Sequence, residues 1–444
     1  MTLQRPGLRL SPRSALAVAA GRTARAASRA LGRGSGGMIG GEVAMRVSPR
    51  IMADLAAPMD TVIVSGTNGK STTTRMVRAA LETRGPVASN TNGDNMASGV
   101  ITALMNAPRA PFAALEVDEM HLPAVAGEVN PEVLVLLNLS RDQLDRVGEI
   151  SSVELRLRQA VEEHPNAIII ANCDDPLIVS AACSSSKVVW VAAGAGWGAD
   201  SIAYPRGGRV LWENGTWRLV PAQSGGALPE LCERPRPDWW LDDIDLSAST
   251  PKARLNGPDG VSVELALALP GRANLSNAAQ AVAAAAALGV SPQAAADAIC
   301  SVREVAGRYS IYEVDGRQAR IMLAKNPAGW QETMTMIDPE VKQVVIGLNG
   351  QIPDGQDLSW LWDVDFGALA RTSDEDGEPI RVVACGERGA DLAVRLEYAN
   401  IHTSFVKTPM EALAACAPGR VEMLLNYTAL RDFKTILDAR EARK

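Results

Sequence analysis

The apolar run Thr61-Val62-Ile63-Val64 passes directly into Ser65-Gly66-Thr67-Asn68-Gly69-Lys70-Ser71-Thr72-Thr73-Thr74, and a helical stretch follows to Glu82. A loop at a helix N-terminus offers unpaired backbone N–H groups and the positive end of the helix dipole, which together suit phosphate. The loop is Gly66, Thr67, Asn68 and Gly69, and its two glycines let the backbone approach a phosphate closely. Lys70 is placed to reach β- and γ-phosphates, and the Ser71 hydroxyl, with Thr72 behind it, is placed to bind Mg²⁺. The general GxxxxGK[ST] pattern is incomplete, because Val64 stands where its first glycine belongs. A glycine turn that merely precedes a lysine is the competing reading. The strand before, the helix after and the cluster of hydroxyls argue against it.

Three more apolar strands are expected at Ala113–Val117, Val133–Asn138 and Ala167–Asn172, with helical segments between them. Apolar strands alternating with helices make a parallel sheet covered on both faces. Glu116 stands near the end of one strand, where such a sheet brings residues beside the phosphate loop. Its carboxylate is a hard-oxygen ligand of the kind Mg²⁺ takes. Asp118 and Glu119 read as a solvated acidic turn or as support for Glu116. Residues 194–260 are rich in Gly, Pro and Trp and read as an irregular, partly antiparallel insertion. A second α/β pattern begins after Gly307, with strands at Val344–Leu348 and Arg381–Gly386. The organisation is then a basic N-terminal helical segment (1–50), a central ATP-binding domain (51–306) and a C-terminal Rossmann-like α/β domain (307–444).

The 444 residues carry a net charge of −7, so the overall field gives no reason to expect nucleic-acid binding. No uninterrupted apolar run approaches the roughly 18 residues of a membrane span. The six cysteines form no CxxC pair, which fits reduced thiols in a cytoplasmic protein. Arg5, Arg9, Arg13, Arg22, Arg25, Arg29 and Arg33 precede the first acidic residue, Glu42. An organellar transit peptide has this composition; so does a basic helix packed on the body, the preferred reading here. Contact with an anionic membrane surface is a further reading of the same segment.

These motifs resemble those of the Mur ligases. Gly66-Thr67-Asn68-Gly69-Lys70-Ser71 is similar to their shortened phosphate loop. Asn138-Leu139-Ser140-Arg141-Asp142-Gln143-Leu144-Asp145 resembles their Asn…Asp-His-Leu-Asp segment, and Asn172-Cys173-Asp174-Asp175-Pro176 their Asn-x-Asp-Asp turn. Gly271-Arg272-Ala273-Asn274-Leu275-Ser276-Asn277-Ala278 resembles their Gly-x-His-Asn-x-x-Asn-Ala segment, whose second Asn, here Asn277, reads adenine. The resemblance implies a Mur ligase-like central ATPase domain, with ATP and Mg²⁺ as cofactors and Ser71 and Glu116 as metal ligands.

The departures point within the family. Gln143 replaces a metal-binding His, and no lysine lies between Lys70 and Lys187 to be carbamylated. Leu323-Ala324-Lys325-Asn326-Pro327-Ala328-Gly329 replaces Asp-Tyr-Ala-His-Asn-Pro. A ligase that adds an amino acid must bind and deprotonate an amine, and those residues are missing. The same segments, with Asp354-Gly355-Gln356-Asp357-Leu358-Ser359-Trp360-Leu361-Trp362-Asp363, resemble the MurT branch. That branch implies amidation of the D-glutamate α-carboxylate of lipid II, with ammonia from a separate glutaminase of the GatD kind in a heterodimer. It also implies that Asp357 completes the partner's Cys-His pair. Asp354, Asp357 and Asp363 otherwise read as turn or capping residues, and Trp360 and Trp362 as interface anchors or core. Lys325 is expected to stabilise the transferring phosphoryl group from across the cleft. Asp94 and Asn95 line the substrate side or form a polar turn. Many MurT proteins carry a four-cysteine zinc ribbon; only Cys232 stands in that region, so the insertion is expected to be zinc-free. His121, His164 and His402 have no glutaminase-like context, and Cys385 lacks a nucleophile elbow.

Overall fold

The computed structural model describes residues 10–30, 37–90, 94–140, 150–194, 201–223, 226–246, 250–303, 309–338, 340–355, 357–370 and 379–441. Arg5, Arg9, Arg33, the Arg141–Arg146 segment with Gln143, the 306–307 boundary and Gln356 lie outside the described residues.

Two sheets organise the chain. The first has nine strands in the order β11-β10-β9-β6-β5-β4-β1-β3-β2. They are β1 (Asp60–Ser65), β2 (Val87–Ser89), β3 (Phe112–Glu116), β4 (Val133–Leu136), β5 (Ile168–Asn172), β6 (Val188–Ala192), β9 (Trp239–Asp245), β10 (Lys252–Asn256) and β11 (Ser262–Ala266). Strands β1 to β6 pair in parallel, β9 joins β6 in parallel, and β10 and β11 turn antiparallel at the edge. The insertion is therefore only partly a separate unit. Its second half extends the main sheet, because Trp239 pairs with Val191 and is buried. Alternate residues of β10 and β11 are buried, as one covered sheet face requires. Its first half is the hairpin β7 (Arg209–Glu213) and β8 (Thr216–Val220), turned at Asn214-Gly215 with positive φ at both residues.

Successive residues of the central strands point to opposite faces. Ile63, Leu115, Leu134 and Ile169 pack on one side, and Val62, Val64, Val135 and Ile170 on the other. The second side is covered by the helices Lys70–Glu82 and Arg272–Ala287. The first receives the N-terminal helices Pro12–Ala30 and Gly37–Val47. Those two helices meet at glycines, where a Cβ on Gly21 would lie 2.6 Å from Gly40 O, and the second also presses on the helix Ala97–Asn106, where a Cβ on Gly41 would lie 1.8 Å from Ser98 O. Arg13 donates to Val47 O at 2.7 Å and Arg22 to Met105 O at 2.8 Å, so this basic segment spends charge on packing against the body.

The second sheet runs β12 (Tyr309–Val314), β13 (Arg317–Leu323), β17 (Gly419–Leu425), β14 (Gln343–Gly347), β15 (Arg381–Cys385) and β16 (Thr403–Phe405). Only β12 is antiparallel to its neighbour. Among the described residues no helix is long and apolar enough to cross a membrane.

Candidate active site

The phosphate loop leaves β1 and enters the helix Lys70–Glu82. Gly69 caps that helix with φ +85°, a conformation that favours glycine. A Cβ there would come 2.6 Å from Asn277 Oδ1, so close approach of the adenine-reading candidate requires glycine as well. The loop is fixed from β4's end. Asn68 N donates to Asn138 Oδ1 at 2.9 Å, Asn138 Nδ2 returns a bond to Asn68 O at 3.0 Å, and Thr67 N donates to Asn138 O at 2.9 Å. Asp175, buried under this region, accepts from Leu139 N at 2.8 Å and from Leu177 N and Ile178 N. Burial pushes its carboxyl up to about 6, against those three bonds.

The parallel register places Glu116 opposite Val64 at the end of β1. Ser71 Oγ donates to Glu116 Oε2 at 2.8 Å. Asn90 clamps the Glu116 backbone with bonds of 2.7 and 2.8 Å. A hydroxyl and a buried carboxylate suit a Mg²⁺ ion that takes its remaining oxygens from phosphates and water, and among the described residues no group of three or more His, Cys, Asp or Glu side chains forms an all-protein metal cage. Asp94 faces the same carboxylate; burial, then the charge of Glu116, raises its pKa.

Glu119 has a stronger role than a solvated turn. Its Oε2 lies 2.9 Å from Lys70 Nζ, and both side chains are nearly buried. Lys70 Nζ also donates to Gly66 O at 2.6 Å and Thr67 O at 3.4 Å. Burial works against the lysine's charge, but Glu119 and then Glu116 outweigh it, and the pKa is raised. The acidic pair read from the sequence did not reveal this, because nothing in Glu116-Val117-Asp118-Glu119 says which carboxylate turns back to the loop.

The second sheet supplies the opposite wall. Asn326 caps the helix Pro327–Thr335, accepting from Gly329 N at 2.7 Å, and its amide meets Asn68 across the cleft at 3.4 Å. Lys325, exposed, precedes it directly. Asn68, Gly69, Asn138, Asn277, Arg272 and Gln331 line a cleft of about 950 Å³ between the two lobes. The hairpin residue Trp212 and Arg234, paired with Asp174 at 2.5 Å, line it too.

The Asp354–Asp363 segment separates into buried and exposed roles. Asp354 is buried and accepts from Thr428 N at 3.0 Å and from the Thr428 hydroxyl. Asp357 is exposed and accepts from Ser359 N at 2.9 Å, a bond that lowers its pKa. Trp360 is core, its ring tilted against that of Trp330, whereas Trp362 is 55% exposed and packs edge-on against Tyr398 at 5.3 Å. The Cys385 thiol is buried and pushed up to about 12 by burial, which makes it inert as a nucleophile.

Comparison with known proteins agrees with this layout. Residues 64–211 match the model of the Mur ligase middle domain, and residues 323–430 that of the MurT ligase C-terminal domain. The fold resembles the crystal structure of MurF from Acinetobacter baumannii, with TM-score 0.66 and 19% identity, over 89% of this chain and 80% of that one. It also resembles MurF from Thermotoga maritima solved with ADP, with TM-score 0.61 and 13% identity, over 87% and 81%. The two-lobed fold and its phosphate loop are similar to those of the Mur-type ligases, the class whose middle-domain and MurT C-terminal models the chain matches. Within it, the chain is a relative of the MurT subunit of lipid II isoglutaminyl synthase. It is 28% identical to that subunit from Streptococcus pneumoniae over 88% of this chain and 90% of the relative. The Staphylococcus aureus subunit is 28% identical over 81% and 82%.

Proposed function

We propose that this protein is the ATP-consuming subunit of an amidating ligase. It converts the D-glutamate α-carboxylate of the lipid II stem peptide to D-isoglutamine, with ammonia supplied by a partner glutaminase. The observation that carries this reading is the contact of Ser71 with Glu116, next to Lys70, at the start of a helix whose preceding loop meets Asn326 of the second lobe through Asn68.

The backbone N–H groups of the loop and Lys70 hold the ATP phosphates, with the base beside Asn277. Ser71 and Glu116 would hold Mg²⁺, which when bound would supply positive charge to the transferring phosphates. A substrate carboxylate oxygen bonds to the γ-phosphorus as the bond to the bridging oxygen breaks, and ADP leaves with that electron pair. Lys70, and Lys325 from the other lobe, stabilise the charge on the transferring group. Ammonia attacks the acyl carbon, phosphate leaves with the C–O pair, and one ammonia proton is released. Asp357 lies at the surface and stays ionised; there it orients and stabilises an imidazole of the partner.

The test is product analysis with soluble lipid II analogue, ATP, Mg²⁺ and ammonium. Amide and ADP in equal amounts support the reading. Addition of an amino acid would assign the chain to the peptide-forming ligases. ADP and amide both absent, with the partner present, would leave a nucleotide-binding scaffold.

A further inference from the structure

The first two residues of the helix after the phosphate loop are each held by a carboxylate, and the two carboxylates stand three positions apart. Ser71 Oγ meets Glu116 at 2.8 Å, and Lys70 Nζ meets Glu119 at 2.9 Å. The two contacts differ in consequence. A hydroxyl can leave a carboxylate at little cost. The Lys70 and Glu119 side chains are 9% and 11% exposed, so this is an ion pair largely withdrawn from water. Lys70 has three N–H donors, and Gly66 O, Thr67 O and Glu119 occupy them. An incoming phosphate therefore competes for a lysine already committed.

Separating a buried pair is expensive because the group left behind is an uncompensated charge. Here that group is Glu119, beside Glu116 and the arriving phosphates, all negative. A nucleotide alone worsens the balance. A nucleotide that brings a divalent cation restores it, because Glu119 then regains a positive neighbour as Lys70 turns to the phosphates.

Building on the phosphate-loop reading above, we propose that Glu119 is a positioning residue that makes nucleotide binding conditional on the divalent cation, by holding Lys70 until both arrive. Glu116 serves the cation directly; Glu119 acts through Lys70. A carboxylate that only stabilised the fold would affect binding equally with and without the metal, so the two roles separate experimentally.

The measurement is ADP affinity by calorimetry on the full chain, with magnesium and with EDTA, for wild type and Glu119→Gln. Wild type is expected to bind ADP far more tightly with magnesium. In Glu119→Gln the metal-free affinity is expected to rise by about tenfold, narrowing the ratio, a coupling within the usual allosteric range. Thermal unfolding without nucleotide checks that the variant folds. Glu119→Asp, which keeps the charge but shortens the reach, serves if the Gln variant is unstable and is expected to narrow the ratio in the same direction. Weaker binding by equal factors in both conditions, or an unchanged ratio, would overturn the proposal. Failure of wild type to bind ADP under either condition would instead overturn the phosphate-loop reading, and this role with it.

Discussion

Asn68 and Asn326 face each other amide to amide across the interlobe cleft, each donating its Nδ2 to the other's Oδ1 at 3.4 Å. One belongs to the phosphate loop and the other caps the helix Pro327–Thr335, so the pair ties the nucleotide end of the first lobe to the first turn of a helix in the second. Asn326→Asp keeps the capping oxygen, loses the donor and adds negative charge beside the loop. It is expected to change the melting temperature little while weakening ATP binding about tenfold or more. Asn326→Ala is expected to lose about 1 kcal/mol of stability as well. Calorimetric unfolding and ATP titration of both variants check this.

Gly69→Ala is expected to cost about 1–2 kcal/mol from its left-handed backbone. The added methyl also collides with Asn277. Nucleotide binding should fall below detection while the far-ultraviolet circular dichroism is retained.

Asp354 and Asp357 are expected to respond in opposite ways. Asp354→Ala strands Thr428 in the core and should destabilise by about 2–3 kcal/mol. Asp357→Asn should leave the melting temperature and ammonium-driven amidation unchanged, while glutamine-driven amidation with the partner falls at least about a hundredfold. Parallel assays with the two nitrogen sources separate these effects.

Asp175 gives a pH signature. Its folded pKa, about 6, lies above the ordinary carboxylate value, so the folded chain binds the proton more tightly than the unfolded one. This group therefore favours folding as pH falls from 7 toward 4, and the contribution is lost as pH rises through about 6. Asp175→Asn does not titrate and should lack this gain; melting curves of both proteins between pH 7.5 and 5 provide the comparison.

Much of the site is legible in the sequence because its chemistry is local. The strand, glycines, lysine and hydroxyls are contiguous, and a parallel register puts the end of a neighbouring strand beside them, so Ser71 and Glu116 were legible as companions. What sequence left open depends on side-chain direction and long-range packing. Glu119 differs from Asp118 only in which way the turn after β3 points it. Asp354 and Asp357 belong to one acidic segment, and only the seating of Asp354 on Thr428 separates them. Trp360 and Trp362 are two apart, and the core takes one and leaves the other outside. Residues 194–260 read from the sequence as an irregular, partly antiparallel insertion, because Gly, Pro and Trp mask the alternation of β9 and β10; the pairing of β9 with β6 fixes their place in the main sheet.

The most direct test of the central claim is mass spectrometry of a soluble lipid II analogue incubated with the chain, ATP, Mg²⁺ and ammonium, beside Lys70→Ala. The account predicts the acid-to-amide mass change with equimolar ADP for wild type and neither product for a folded Lys70→Ala protein. Undiminished amidation by Lys70→Ala, or ADP formation by wild type with the carboxylate left unchanged, would contradict it.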